Sequence, residues 1–179
     1  MIGRHIMLCG PSSSGKTTVS KTIANIIGVP HIELDAIFWK PDWVEKPLKE
    51  FRMDVSTLID IHKEGWVFDG NYARIRDIIL PYADTVIWLS LPLRVVFWRM
   101  ICRTISRIRS REPLWGYNYE TVRKAFFCRD SLLLYILMNW RRHFRIMKQS
   151  LEGIPHHARL IELHSQREID EFLRRISLA

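Results

Sequence analysis

The chain has 179 residues, 47% of them hydrophobic, and a formal net charge of +8 at pH 7. That size and apolar content suit one folded domain with a full core and exclude a disordered or low-complexity chain. The most apolar run, Leu132 to Met138, is too short to cross a bilayer, and the stretch from Val86 to Cys102 is broken by Pro92, Arg94 and Arg99, so no membrane partner is expected.

The first strand candidate covers about residues 5–9 (His5-Ile6-Met7-Leu8-Cys9) and is expected to leave no room ahead of it for a signal peptide. It runs directly into Gly10-Pro11-Ser12-Ser13-Ser14-Gly15-Lys16-Thr17, which satisfies the pattern G-x-x-x-x-G-K-[ST] at every required position. Val19, Ile23, Ile26 and Ile27 then recur at helical spacing until Gly28 and Pro30, which predicts a helix over 16–27. Strand, glycine loop and helix follow in the order that phosphate binding needs. The glycines let backbone N–H groups curl around phosphate oxygens, and the helix N-terminus adds partial positive charge. Gly10, Ser12, Ser13, Ser14, Gly15, Lys16, Thr17 and Thr18 are therefore expected to hold a nucleoside triphosphate. Lys16 would reach the β- and γ-phosphates, and the Thr17 hydroxyl would ligate Mg²⁺.

A second strand, about 31–34, ends at Asp35. The helix predicted over 48–64 starts at Pro47, stops at Gly65 and carries the apolar stripe Leu48, Phe51, Val55, Leu58 and Ile61. The third strand, Trp66-Val67-Phe68-Asp69, ends in a carboxylate followed by Gly70-Asn71-Tyr72. Doubly wound sheets place ligands at the carboxyl ends of their strands, which brings Asp69 toward Mg²⁺ or its waters and Asp35 toward the same edge. A helix over 74–80, a strand over 85–89 and a helix over 93–109 come next. Much of 119–151 reads as helix, with Ser131 to Trp140 as helix core. A fifth strand over 159–163 leads to a helix over 166–176, opened by the capping box Ser165-x-x-Glu168.

Charge is unevenly placed. Between Arg94 and Lys148 there are 13 Lys and Arg against 3 acids, whereas the remainder has 14 basic and 16 acidic residues. A polyanion partner or a lid closing on triphosphate explains such a block. The segment 110–118 lies inside it and breaks both periodicities, the place where a lid is expected. Cys9, Cys102 and Cys128 lack disulfide or metal spacing and read as reduced thiols of a cytosolic (cytoplasmic) protein. The histidines, His156-His157 included, have no ligand spacing, so Mg²⁺ arriving with the nucleotide is the metal expected.

Over essentially its whole length the chain resembles the adenylate-kinase-like P-loop kinases. Asp69-Gly70 stands where that family has Asp-Gly-Phe-Pro-Arg, and Pro92 where its fourth strand ends. Arg99 and Arg103 stand where it has adenine-stacking and phosphate-clamping arginines; Arg107 continues their helix face. At Leu34-Asp35-Ala36-Ile37-Phe38-Trp39-Lys40-Pro41 and Asp69-Gly70-Asn71-Tyr72 it is similar to a bacterial subgroup named DNA topology modulation proteins.

The resemblance implies an α/β three-layer P-loop NTPase sandwich, one domain over residues 1–179. Its five-stranded parallel sheet would have the order 2-3-1-4-5, with an acceptor-binding segment at about 35–65 and a basic helical lid at about 104–125. It implies an ATP-dependent kinase acting on a nucleoside monophosphate or a small alcohol. Lys16, Arg99, Arg103 and Asp35 would be catalytic, Arg99 also covering the adenine. Asp35, Trp39, Arg52, Asp69, Asn71 and Arg74 would surround the small-molecule acceptor, and Thr17 and Asp69 would serve the metal. Two departures bear on the acceptor. The family's Phe-Pro-Arg is replaced by Asn71-Tyr72-Ala73 with Arg74 one place late, and Arg52 is the only arginine between Asp35 and Gly65. Phosphate acceptors are held by arginines, whereas an alcohol gives Asp35 work as base or hydroxyl orienter. The alternative class is a nucleotide-sensing, nucleic-acid-binding regulator, supported by the basic block with Trp115, Tyr117 and Tyr119 beside it. Trp39, Trp43 and Trp115 read as core or as acceptor-pocket walls.

Overall fold

The computed structural model describes residues 2–110, 114, 115, 118 and 132–178. Its main sheet is formed by β1 (His5–Cys9), β2 (His31–Glu33), β5 (Trp66–Asp69), β6 (Thr85–Leu89) and β7 (Arg159–Leu163) in the spatial order β2-β5-β1-β6-β7, every pair parallel. The α/β class expected from sequence is what is found. The detail that differs is a separate antiparallel hairpin, β3 (Trp39–Lys40) with β4 (Val44–Glu45), which interrupts the numbering; without it the sheet order is the expected one.

Successive side chains of a strand point to opposite faces, and both faces of this sheet are buried. On one side Met7, Cys9, Trp66, Phe68, Val86 and Trp88 pack beneath α3 (Leu48–Ile61), α4 (Arg76–Ile79) and α6 (Leu132–Glu152). On the other, Ile6, Leu8, Val67, Ile87 and Leu89 meet α1 (Lys16–Ile27), α5 (Leu93–Ser110) and α7 (Gln166–Ser177). Such near-continuous apolar strands are what a doubly covered parallel sheet requires. No described helix is long and apolar enough to cross a membrane.

Several elements differ from their sequence expectation. The chain leaves β2 one residue early, and α2 (Leu34–Phe38) begins at Leu34, so Asp35 sits in the first turn of a short helix rather than at a strand end. The buried face of α3 is Phe51, Val55 and Ile59, with Leu48 and Ile61 exposed, Ile61 to 65%. The predicted stripe mixed two faces because spacings of three and four were both counted as matches. That helix also ends at Ile61, capped at His62. The predicted helix over 74–80 is a 3₁₀ turn, Ala73–Ile75, followed by the short α4. Of the helix expected over much of 119–151, residues 119–131 lie outside those described, Ser131 of the expected helix core among them. Within α6 the sheet contacts come from Phe144, Met147 and Leu151, while Met138 is exposed. The capping box of α7 forms: Ser165 Oγ accepts from Glu168 N at 3.2 Å, and the Glu168 carboxylate reaches back to His164 N at 2.8 Å.

Truncating Phe51 removes a ring in contact with both Phe38 and Tyr72. Phe51→Ala is expected to cost about 3–5 kcal/mol in urea unfolding, against about 0.5 kcal/mol for Ile61→Ala. Equal losses at the two positions would place the wrong face of α3 inward.

Candidate functional site

The register of the sheet assembles one edge. Leu8 pairs with Asp69, and Asp69 pairs with Glu33, so the loops after β1, β5 and β2 leave side by side. Between them opens a cleft of about 700 Å³.

Its first wall is the loop Gly10–Gly15 and the start of α1. Gly15, which opens α1, has φ 96°, a left-handed conformation that a side chain disfavours. Lys16 Nζ donates to Pro11 O at 3.1 Å, folding the ammonium across the loop. From α5, Arg99 donates to Ser14 O at 3.0 Å and is held from behind by Gln166 Oε1 at 2.7 Å. Arg103 reaches Ser12 Oγ at 3.4 Å, and Arg107 lines the cleft one turn further on. The i, i+4 face read from sequence thus brings its cations to the phosphate loop. The Ser13 and Ser14 hydroxyls are buried with no hydrogen-bond partner.

Asp69 forms the floor at 2% exposure, and neither of its carboxylate oxygens has a hydrogen-bond partner among the described residues. His31 Nε2 stands 3.7 Å away, ion-pair rather than hydrogen-bond distance. Burial alone pushes this carboxyl up, but His31, Lys16 and the Thr17 hydroxyl outweigh it and hold the group below the usual carboxylate range. Asp69 is thus an ionised carboxylate with unused oxygens beside a hydroxyl, the hard-oxygen donor set that suits Mg²⁺. With the cations and N–H groups of the loop, the residues present fit a magnesium-triphosphate.

The opposite wall is aromatic and acidic. Tyr72 packs on Phe38 and Phe51, and its hydroxyl donates a short hydrogen bond to Asp35 Oδ1. Burial, then the adjacent Asp35 charge, raises the Tyr72 pKa far above its usual value, so the phenol keeps its proton. Gly70 makes room here: a Cβ would lie 2.7 Å from Leu34 Cβ, at φ 157°. Trp39, Trp43 and Trp115 step around the rim, and Trp115 Nε1 donates to Glu33 Oε1 at 3.2 Å. Among the described non-glycine residues, positive φ occurs at Ser13, Asp42, Trp43 and Trp115; all but Asp42 line the cleft, and Asp42 adjoins it. Such conformations cost roughly 1–3 kcal/mol each and persist only where surroundings over-determine them. Asn118, 1% exposed, supplies part of that hold by accepting from Trp43 N at 2.9 Å and donating to Lys40 O at 3.1 Å.

The cleft therefore gathers Gly10, Ser12, Ser13, Gly15, Lys16, Thr17, Thr18, Asp35, Trp39, Asp69, Asn71, Arg99 and Arg103 from the sequence expectations, with Ser14 beneath the loop. It does not gather Arg52 or Arg74. Arg52 binds Asp77 through two bonds of 2.9 and 2.6 Å and Arg74 O at 2.6 Å, on the outer side of α3, and Arg74 is exposed there. Of the expected lid over 104–125, residues 111–113, 116, 117 and 119–125 lie outside those described, Tyr117 and Tyr119 among them. Tyr72, Glu33 and Arg76 had no role assigned from sequence. Tyr72 was visible within Asp69-Gly70-Asn71-Tyr72, but a pattern does not reveal a hydroxyl's partner. Arg76, in a predicted helix, gave no signal; it is 8% exposed and donates to Asn71 Oδ1 at 2.6 Å and to Met147 Sδ at 3.0 Å.

A second cavity of about 660 Å³ lies at the far end of the sheet, lined by Ile2, Ile26, Ile161 and Phe172 and by no residue of the phosphate loop. Loop, cations and buried carboxylate meet in one cleft at the carboxyl edge of a parallel α/β sheet. Solved structures give the fold a nearer place. A gluconokinase from Sinorhizobium meliloti 1021 is similar at TM-score 0.56 and 18% identity, covering 98% of this chain and 90% of its own. A sugar kinase from Janibacter sp. HTCC2649 is similar at TM-score 0.53 and 17% identity, covering 96% and 91%. The chain shares the fold of these two kinases. No family model and no curated protein matches the sequence.

Cys9 immediately precedes the loop, fully buried, and burial pushes its thiol up to about 12 against the pull of Arg76 and Lys16. It therefore stays protonated throughout the neutral and mildly alkaline range. Iodoacetamide at pH 8 is expected to spare Cys9 and modify the exposed Cys102 in the folded protein, read by peptide mass spectrometry. Equal labelling of the two would mean that the β1 end is open.

Proposed function

We propose that the protein is an ATP-dependent kinase that phosphorylates a hydroxyl group of a small molecule. One observation carries this reading: the cations of the phosphate loop and α5 face Asp35 across a single cleft. Lys16, Arg99 and Arg103 would bind and orient the triphosphate, with the loop N–H groups, and neutralise charge as the γ-phosphoryl moves. Thr17 and Asp69 would hold Mg²⁺, which supplies further charge neutralisation on the phosphates. Asp35, oriented by the Tyr72 hydroxyl, would align the acceptor hydroxyl and take its proton as the new O–P bond forms and the bond from Pγ to the β-phosphate oxygen breaks. Arg99 would also cover the adenine.

An alcohol is favoured over a nucleoside monophosphate because Arg52 and Arg74, the residues expected to grip an acceptor phosphate, lie away from the cleft. The nucleic-acid reading loses support for a related reason. Arg99, Arg103 and Arg107 of the basic block face the cleft; of its other members Arg94, Arg109, Arg141, Arg142, Arg145 and Lys148 are exposed helix surface, and Arg111, Arg123, Lys124 and Arg129 lie outside the described residues.

With Mg-ATP and a panel of small alcohols and nucleoside monophosphates, acceptor-dependent ADP release is expected from alcohols. Lys16→Ala is expected to abolish it. Asp35→Asn should lower kcat by about 10²–10⁴-fold while ATP affinity is kept. Full turnover by the Lys16 variant would remove the proposal, and turnover of monophosphates alone would remove its acceptor half.

A further inference from the structure

We infer that the acceptor is a hydroxyl-bearing organic cation, an amino alcohol or amino sugar, held in a tryptophan cage beside Asp35. The inference rests on the kinase reading above and concerns the acceptor half of the same cleft. Three rings form its walls. The centroids of Trp39 and Trp43 lie 5.7 Å apart with planes at 72°, and those of Trp43 and Trp115 lie 5.8 Å apart at 81°. Each pair packs edge to face, so the row of rings turns a corner along the cleft rim, whereas a platform for a planar base would keep its rings parallel. The face of an indole is electronegative and attracts an ammonium group; it offers a carboxylate nothing.

Charge on this side points the same way. Glu33 and Asp35 line it, and the cations of the cleft, Lys16, Arg99, Arg103 and Arg107, come from the donor side. The basic residues nearest in sequence are engaged elsewhere: Lys40 with Glu50 at 3.0 Å, Lys46 with Asp54 at 2.6 Å. A sugar acid or a monophosphate entering here would meet two carboxylates on this wall, with the cleft's cations on the opposite, donor wall. An ammonium group would meet opposite charge and aromatic faces. The backbone gives an independent sign that the rings are placed for a purpose. Trp43 and Trp115 both have left-handed φ, 61° and 50°, conformations that aromatic packing alone does not demand.

The test uses the full chain with Mg-ATP and matched probes: glucosamine, glucose and gluconate, with choline as a quaternary cation. Acceptor-dependent ADP release and quenching of tryptophan fluorescence are measured for each. The cations are expected to exceed their neutral and anionic counterparts in kcat/KM by about tenfold or more. Glu33→Gln and Trp43→Leu should each raise the KM for the cations with ADP affinity kept; ADP binding separates a lost cage from a lost fold, and the milder Glu33 variant keeps the test decisive if Trp43→Leu unfolds. Preference for glucose or gluconate, or failure of every probe to bind, overturns the inference. Turnover of neutral alcohols without cation preference leaves the kinase reading standing and sinks the cage. Saturable quenching by choline or glucosamine with no ADP release from any acceptor supports the cage and sinks the kinase reading.

Discussion

The site depends on the register of three adjacent parallel strands. Because Leu8, Asp69 and Glu33 lie in line across β1, β5 and β2, three chain segments leave the sheet at one edge. Those segments are the phosphate loop, the Asp69–Tyr72 run and the short helix bearing Asp35. A slip of one residue in β5 would turn Asp69 toward the opposite face, exchanging it for an apolar neighbour. The alternation that fixes the register is buried on both faces, so the sheet core and the site geometry are specified by the same residues.

Within the cleft, charge is separated rather than paired. Arginine and lysine side chains cover the loop, and carboxylates with aromatic rings occupy the other wall. Asp69 sits at the boundary, buried and ionised, with the nearest histidine beyond hydrogen-bond distance. His31, Lys16 and the Thr17 hydroxyl offset the cost of burying that charge, so the carboxylate stays ionised and available to a ligand in the cleft. Arg99 shows the opposite economy. Its two hydrogen bonds, to Ser14 O and Gln166, tie α5, the phosphate loop and α7 into one rigid unit even before any phosphate arrives.

Much of this was legible in the sequence. The five sheet strands, the loop and the paired arginines follow from apolar runs, glycine chemistry and helical spacing, all local signals. What escaped is instructive by kind. The β3–β4 hairpin was missed because strands of two residues carry no periodicity. Asp35 was placed at a strand end, although a helix of five residues places it. Arg52 was assigned to the acceptor on charge alone, and only tertiary structure reveals that Asp77 had a prior claim on it. Arg76 is the converse, a cation buried with no carboxylate partner among the described residues, which no sequence rule anticipates because burial of arginine usually requires a countercharge.

The described residues that follow α5 clarify how the two walls of the cleft are related. Leu114, Trp115 and Asn118 lie against the acceptor wall: Trp115 binds Glu33 at the end of β2, and Asn118 clamps the β3–β4 hairpin at Lys40 and Trp43. The same segment follows α5, whose arginines serve the phosphate loop. Arginines of α5 thus reach the phosphate loop, while Trp115 and Asn118 reach the opposite wall of the cleft. Phosphoryl transfer demands that both substrates be held in line with water kept out. Under the kinase reading, the bonds from Arg99 to the loop and from Trp115 and Asn118 to the opposite wall go toward that demand, because each holds one wall of the cleft in place.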